Sequence, residues 1–221
     1  MFNEKVKFAH IHIPKTAGTS LLSMLGVPNN RLHVGSTYTK SNKYPGRYVS
    51  IPTHCGIYQA IQQKILPPHC VTFTVIRNTW DRMLSMYLDY STRTAHNQHV
   101  GNVSSFEGWL KDLHNVVFSG SQLCYMVNHP FGQGYVLDTD KDFSTVLDTI
   151  SITYWLRFHR LAYDWRCLCE AIHIPYEPLC HKNMNTQRKH YSEYYTSTTR
   201  DLVYQYYHDE IDYFQFKYQE L

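Results

Sequence analysis

Short runs of apolar and β-branched residues alternate with amphipathic stretches along this chain, and this pattern predicts strands followed by helices. The clearest run is 70–76, Cys-Val-Thr-Phe-Thr-Val-Ile, which is typical of a strand buried on both faces of a parallel sheet. Shorter runs at 6–13, 47–51 and 152–158 predict further strands. The chain therefore holds enough strand-forming sequence for a central sheet.

Apolar side chains at helical spacing follow these runs. After the strand at 70–76, Met83, Leu84 and Tyr87 share one face of a predicted helix. Further helices are predicted at 20–25, 57–65, 105–113, 160–172 and 198–216. Strands that alternate with helices predict an α/β fold, and we expect one three-layer, P-loop-like domain over 1–221 with a central, mainly parallel sheet flanked by helices.

Composition narrows the classes of protein. The 221 residues are 43% hydrophobic and 15% aromatic, which excludes general disorder. The formal net charge of +3 is too small to argue for a nucleic-acid partner, but it suits an anionic ligand. No run reaches the ~18 uncharged apolar residues that a membrane helix needs, so we expect no membrane segment.

The cysteines argue against a metal centre. Six of them are scattered through the chain with no CxxC pair, so free thiols are the favoured interpretation and no metal is expected. Because the N-terminus also lacks an apolar run of signal-peptide length, we expect a cytoplasmic protein.

The turn after the first predicted strand is the strongest candidate site. A strand that runs into a tight loop and a helix leaves backbone N–H groups unpaired at the helix start, where phosphate-like anions bind. Lys15 adds a full positive charge, Thr16, Thr19 and Ser20 add hydroxyl donors, and Gly18 permits close backbone approach. The sequence therefore predicts a phosphate-binding loop here.

A second strand-loop-helix turn follows 70–76. Arg77 stands at the strand end and Ser85 lies about two helical turns further on, so both can face one anion. The alternatives are a helix-surface ion pair for Arg77 and an ordinary helical serine at Ser85. Two such elements suggest a ligand with two phosphate-type groups, which first indicates a nucleotide kinase or NTPase. In the P-loop GxxxxGK[ST], however, glycines precede the lysine, whereas here Lys15 comes first and Gly18 follows.

Two motifs resemble the PAPS-dependent sulfotransferase superfamily, especially its Golgi-type and bacterial carbohydrate branch. HIPKTAGTSL, at 12–21, is similar to the family's 5′-phosphosulfate loop, and VTFTVIRNTWDRMLSMY, at 71–87, is similar to its 3′-phosphate element. PLCHKNMNTQRKHYSEYY and IDYFQFKY extend the resemblance into the C-terminal third. Thr79 departs from the pattern, because relatives usually have proline there.

The resemblance implies sulfuryl transfer from PAPS (3′-phosphoadenosine 5′-phosphosulfate) to a hydroxyl, with a carbohydrate as the expected acceptor and adenosine 3′,5′-bisphosphate as the product. Lys15 would contact the 5′-phosphate and its bridging oxygen, and Arg77 and Ser85 would hold the 3′-phosphate. The other implied donor contacts are Thr16, Ala17, Gly18, Thr19, Ser20, Thr186 and Arg188.

A histidine would take the acceptor's proton. His54, after the predicted strand at 47–51, is the candidate base, and a structural histidine is the alternative. For His10 and His12, which alternate along the first strand, a place in the core is favoured over catalysis. A solvated basic turn is the alternative for Arg188, and a non-catalytic PAPS-binding module is the alternative for the whole chain.

Overall fold

The computed structural model describes residues 6–27, 41–49, 51, 57–92, 104–113, 120–123, 152–180 and 189–219. The chain divides into two compact units. The first unit comprises Met1–Ile76 and Gln122–Met184, and the second comprises Arg77–Ser121 and Asn185–Leu221. The expectation of one domain over 1–221 stays a prediction.

A three-stranded parallel sheet forms the centre of the first unit. Its strands are β1 (Phe8–Ile11), β2 (Val71–Ile76) and β3 (Tyr154–Arg157), in the order β1-β2-β3. Every residue of β1 and all but the first of β2 are buried, as expected for a parallel sheet covered on both faces. The α/β prediction is confirmed at this level, whereas the three-layer, P-loop-like architecture stays a prediction.

The predicted strand at 47–51 is shorter than expected. Tyr48 makes a single parallel bridge with Phe8, in which Phe8 N–H donates to the Arg47 carbonyl at 3.0 Å and Val49 N–H donates to the Phe8 carbonyl at 2.8 Å. The Arg47 guanidinium donates to the Val6 carbonyl, just before β1, at 3.3 Å and to the Ile172 carbonyl at 2.6 Å. Among the described residues of 47–51, which leave out Ser50, the pairing with β1 is a bridge at one position.

Helices were predicted close to where they occur. In chain order the described helices are α1 (Gly18–Met24), α2 (Ile57–Gln62), α3 (Thr79–Thr92), α4 (Phe106–Lys111), α5 (Leu161–Ala171) and α6 (Ser197–Phe214). Two helices of the first unit contribute to one apolar core with the sheet, through Leu21 of α1 and Trp165 and Leu168 of α5. None of the described helices is long and apolar enough to cross a membrane.

In the second unit, α3 packs against α4 and α6. The Trp80 indole of α3 donates to the Arg200 carbonyl at 3.1 Å, and Tyr195 O–H donates to the Trp80 carbonyl at 2.8 Å. Ser105 caps α4 as predicted, accepting a hydrogen bond from Gly108 N–H at 3.0 Å. These contacts fix the start of α3, which directly follows Arg77 and Asn78 in the chain.

Candidate functional site

The loop that follows β1 is held by hydrogen bonds from two threonine hydroxyl groups. The Thr74 hydroxyl of β2 donates to the Ile11 carbonyl at 2.9 Å, which ties the carboxyl end of β1 to the middle strand. Within the loop, the fully buried Thr16 hydroxyl donates to the Ile13 carbonyl, also at 2.9 Å. Because that hydroxyl is engaged inside the loop, Thr16 would meet an anion through its backbone N–H.

The backbone of this loop is strained. Lys15 has φ 67° and Ala17 has φ 71°, in the left-handed region that residues other than glycine rarely adopt. Each such residue costs about 1–2 kcal/mol, so the surrounding contacts must enforce the shape. Left-handed residues next to right-handed ones turn successive N–H groups toward one side, an arrangement that favours an anion.

The start of α1 adds to the positive character of the loop. Ala17 is the N-terminal cap residue of α1, and its side chain makes no capping hydrogen bond. The first turn of α1 carries no acidic residue. Lys15 and Thr19 are half-buried, so both are within reach of solvent, whereas Ser20 is buried. Cation, hydroxyl and backbone donors are thus gathered in one short segment without an opposing carboxylate in that turn.

His10 lies in the core, as the sequence favoured, and His12 is half-buried beside it. The His10 ring stacks on Phe73 at 5.0 Å between centroids and on His12 at 5.6 Å. Burial lowers the pKa of both histidines to about 3, and the neighbouring His10 adds to the effect at His12. Both rings are therefore neutral at physiological pH.

The segment after β2 is built from buried side chains. Arg77 is 7% exposed, and its Nε donates to Asp81 Oδ2 at 2.6 Å. Asn78 Oδ1 accepts from Trp80 N–H at 3.1 Å and so caps the start of α3. Ser85, further along α3, is half-buried, and its hydroxyl has no hydrogen-bond partner among the described residues. Arg77 and Ser85 thus lie before and on one rigid helix.

Two residues of this segment have contacts that the motif alone did not reveal. The Thr79 hydroxyl donates to Glu210 Oε1 of α6 at 2.5 Å, and Glu210 is fully buried. Asp81 is the partner of Arg77 in the ion pair that the sequence left open as an alternative, although the partner itself was not named. Its spacing of four residues from Arg77 on a helix was a usable signal, whereas nothing in the sequence connects Thr79 with Glu210.

Several predicted site residues lie outside the described residues, namely His54, Thr186 and Arg188. The Lys15 loop belongs to the first unit, while Arg77 and Ser85 belong to the second. The roles assigned to all of these residues stay predictions.

Metal-binding side chains do not converge in the described part of the chain, where no three His, Cys, Asp or Glu residues could hold an ion. The described cysteines Cys70, Cys167, Cys169 and Cys180 are free. Burial raises the pKa of the Cys169 thiol to about 12 and that of Cys70 to about 11, so neither supplies a thiolate at neutral pH.

A cavity of about 780 Å³ lies elsewhere in the first unit, lined mainly by segments 41–49 and 63–65. Segment 41–47 precedes the bridge at Tyr48, and 63–65 precedes β2, so this cavity lies toward the amino ends of the strands. Lys15 follows the carboxyl end of β1, where parallel α/β sheets bind ligands. The cavity is therefore distinct from the candidate loop.

No family model matches the sequence, and a comparison with curated proteins gives no match either.

Proposed function

We propose that this chain is a PAPS-dependent sulfotransferase that transfers a sulfuryl group to an acceptor hydroxyl, with a carbohydrate as the acceptor. The observation that carries the proposal is the loop after β1, in which left-handed backbone at Lys15 and Ala17 precedes an uncapped helix start. Strained backbone of this kind is retained where function requires it, and its N–H groups suit a phosphate. The motif HIPKTAGTSL, at 12–21, includes the residues of this loop.

The proposed chemistry needs charge stabilisation at one end of the donor. The acceptor oxygen bonds to sulfur as the bond between sulfur and the bridging phosphate oxygen breaks, leaving adenosine 3′,5′-bisphosphate. Lys15 would stabilise the negative charge that develops on the departing phosphate, aided by N–H groups of residues 16–20. His54 is proposed to take the acceptor's proton.

The second phosphate is assigned to the segment after β2. A buried guanidinium at Arg77 offers planar, charged donors of the kind that bind phosphate in a fork, and the half-buried Ser85 offers a hydroxyl. Thr186 and Arg188 are proposed to contact the donor as well. With these contacts, the protein should bind PAPS more tightly than nucleotides that carry no 3′-phosphate.

Binding of adenosine 3′,5′-bisphosphate tests the proposal. Isothermal titration should show binding to the 3′,5′-bisphosphate that is tighter than binding to ATP with Mg²⁺. Tighter binding of ATP with Mg²⁺ would instead support a nucleotide kinase or NTPase, and no affinity for the bisphosphate would refute the sulfotransferase proposal. A screen of hydroxyl-bearing acceptors with ³⁵S-labelled PAPS then separates an enzyme from a non-catalytic binding module.

A further inference from the structure

The ring of His12 occupies the space next to Gly18, the first residue of α1. A Cβ atom built on Gly18 would lie 1.9 Å from His12 Nε2 and 2.2 Å from His12 Cδ2. Such distances are far inside van der Waals contact, so no side chain fits at Gly18 while the ring stays in place. Gly18 is therefore required by the protein's own packing, whether or not a ligand approaches the backbone there.

The His12 ring is held in place by other rings. It stacks on His10 at an interplanar angle of 21°, and His10 stacks at the same angle on Phe73 of β2. His10 is 3% exposed, Phe73 is fully buried, and neither ring nitrogen of His10 has a hydrogen-bond partner among the described residues. A row of rings thus runs from the middle strand to the first residue of α1, and close packing prevents it from yielding.

We propose that His12 is a positioning residue for the Lys15–Gly18 loop and that its ring and the missing side chain of Gly18 form a matched pair. The ring, supported by His10 and Phe73, sets the backbone position at Gly18. It thereby sets the left-handed conformations of Lys15 and Ala17 that precede it. The consequence for ligand affinity rests on the proposed function, in which this loop binds the 5′-phosphate of the donor.

The contact acts through shape. Both histidines are neutral because burial lowers the pKa of each to about 3, so His12 does not attract an anion by charge. A phenylalanine at this position would keep a flat ring beside Gly18, whereas an alanine would leave a gap. His12→Phe therefore tests whether any flat ring is sufficient, and His12→Ala tests the effect of removing the ring.

A double-mutant cycle tests the matched pair, using His12→Ala, Gly18→Ala and the double variant. Gly18→Ala should lower the melting temperature and weaken the affinity for adenosine 3′,5′-bisphosphate by about tenfold or more. Adding His12→Ala should recover most of the loss in melting temperature, because the ring that blocks the new Cβ is gone, and should leave the affinity no weaker than that of His12→Ala alone. The pairing is overturned if the double variant is as defective as the sum of the two single variants.

The positioning role is tested by affinity at a temperature well below each melting point. His12→Ala should weaken bisphosphate binding by about tenfold, and His12→Phe should stay within about threefold of the wild type. His69→Ala, at an exposed histidine of the same unit, is the control and should change nothing. Equal affinity of His12→Ala and wild type overturns the positioning role, even if stability falls.

The outcomes separate this inference from the proposed function. If the wild type does not bind the bisphosphate, the proposed function fails, while rescue of the melting temperature still tests the pairing. If Gly18→Ala yields no folded protein, recovery of folding in the double variant supports the pairing of His12 with Gly18. A double variant that fails to fold while His12→Ala folds overturns the pairing.

Discussion

The loop after β1 and the segment after β2 both connect a buried parallel strand to a helix, but they are built differently. The first depends on backbone: Lys15 and Ala17 are left-handed, and α1 has only seven residues and no side-chain cap. The second depends on side chains: Arg77 is paired with Asp81, and α3 has 14 residues. The first should therefore be sensitive to steric change and the second to loss of charge or hydrogen bonds.

The two regions also treat buried polar groups differently. Before the first region, in β1, His10 is buried with no hydrogen-bond partner among the described residues. Against the second region, Glu210 of α6 is buried but accepts a hydrogen bond from Thr79. An unpaired buried imidazole is neutral and resists protonation, whereas a buried carboxylate depends on its donors. The comparison can be tested residue by residue.

The largest effect is expected at Lys15. Lys15→Ala should lower kcat by about 10²- to 10³-fold and weaken donor binding, because it removes the charge that stabilises the departing phosphate. Lys64→Ala is a matched control, since Lys64 is an exposed lysine of the same unit that also has positive φ, 55° against 67° for Lys15. Steady-state assays with PAPS should show the loss only in Lys15→Ala.

His54→Ala tests whether proton removal from the acceptor is separate from donor binding. It should lose turnover while keeping its affinity for adenosine 3′,5′-bisphosphate, because a base that serves the acceptor does not hold the donor. An equal loss of donor affinity in Lys15→Ala and His54→Ala would contradict the separate roles.

Arg77 should show the next largest effect. Arg77→Lys should weaken bisphosphate binding by about 10- to 100-fold, because lysine lacks the planar fork, and should leave the affinity for adenosine 5′-phosphosulfate, which has no 3′-phosphate, unchanged. Arg160→Lys is the control, since Arg160 also pairs with an aspartate four residues later, at 3.0 Å, but its side chain is 54% exposed against 8% for Arg77. Titration calorimetry distinguishes the two. A parallel loss for both ligands would argue against a 3′-phosphate site.

Thr79 should affect stability. Thr79→Val removes a donor from the fully buried Glu210 and should lower the free energy of unfolding by about 1–3 kcal/mol in urea titrations. Thr79→Pro, which introduces the residue usual in the motif that this segment resembles, should also lose this hydrogen bond. Thr198→Val, at an exposed threonine of α6, should stay within about 0.5 kcal/mol of the wild type. If Thr79→Val were as mild as Thr198→Val, the buried hydrogen bond would contribute little.

The smallest effect concerns acid stability. The pKa of folded His10 is lowered from 6.5 to about 3, so between these pH values the unfolded chain binds more protons and stability falls as the pH decreases. Between pH 7 and 5.5 the wild type should lose about 1 kcal/mol more than His10→Phe. Denaturant titrations at both pH values measure this difference. Equal losses would show that His10 takes up a proton in the folded protein.

Much of the local structure could be predicted from the sequence. Residues 70–76 and 152–158 were predicted as strands and contain β2 and β3, and Ser105 caps α4. These features depend on neighbours a few residues apart. The predicted strand at 47–51 makes one bridge with β1 among its described residues, and nothing in its sequence indicated that the Arg47 side chain donates to a carbonyl of residue 172.

Some features of the candidate site follow from the sequence, and others follow from the tertiary structure. The sequence by itself determined that Lys15, Gly18 and the hydroxyl residues between and beside them follow a buried strand in a tight loop. Only the tertiary structure decided that Gly18 faces the His12 ring, that the Thr16 hydroxyl is engaged within the loop and that Thr79 binds Glu210 across 131 residues. Order along the chain specifies turns and helix starts, whereas contacts between side chains depend on how the elements pack.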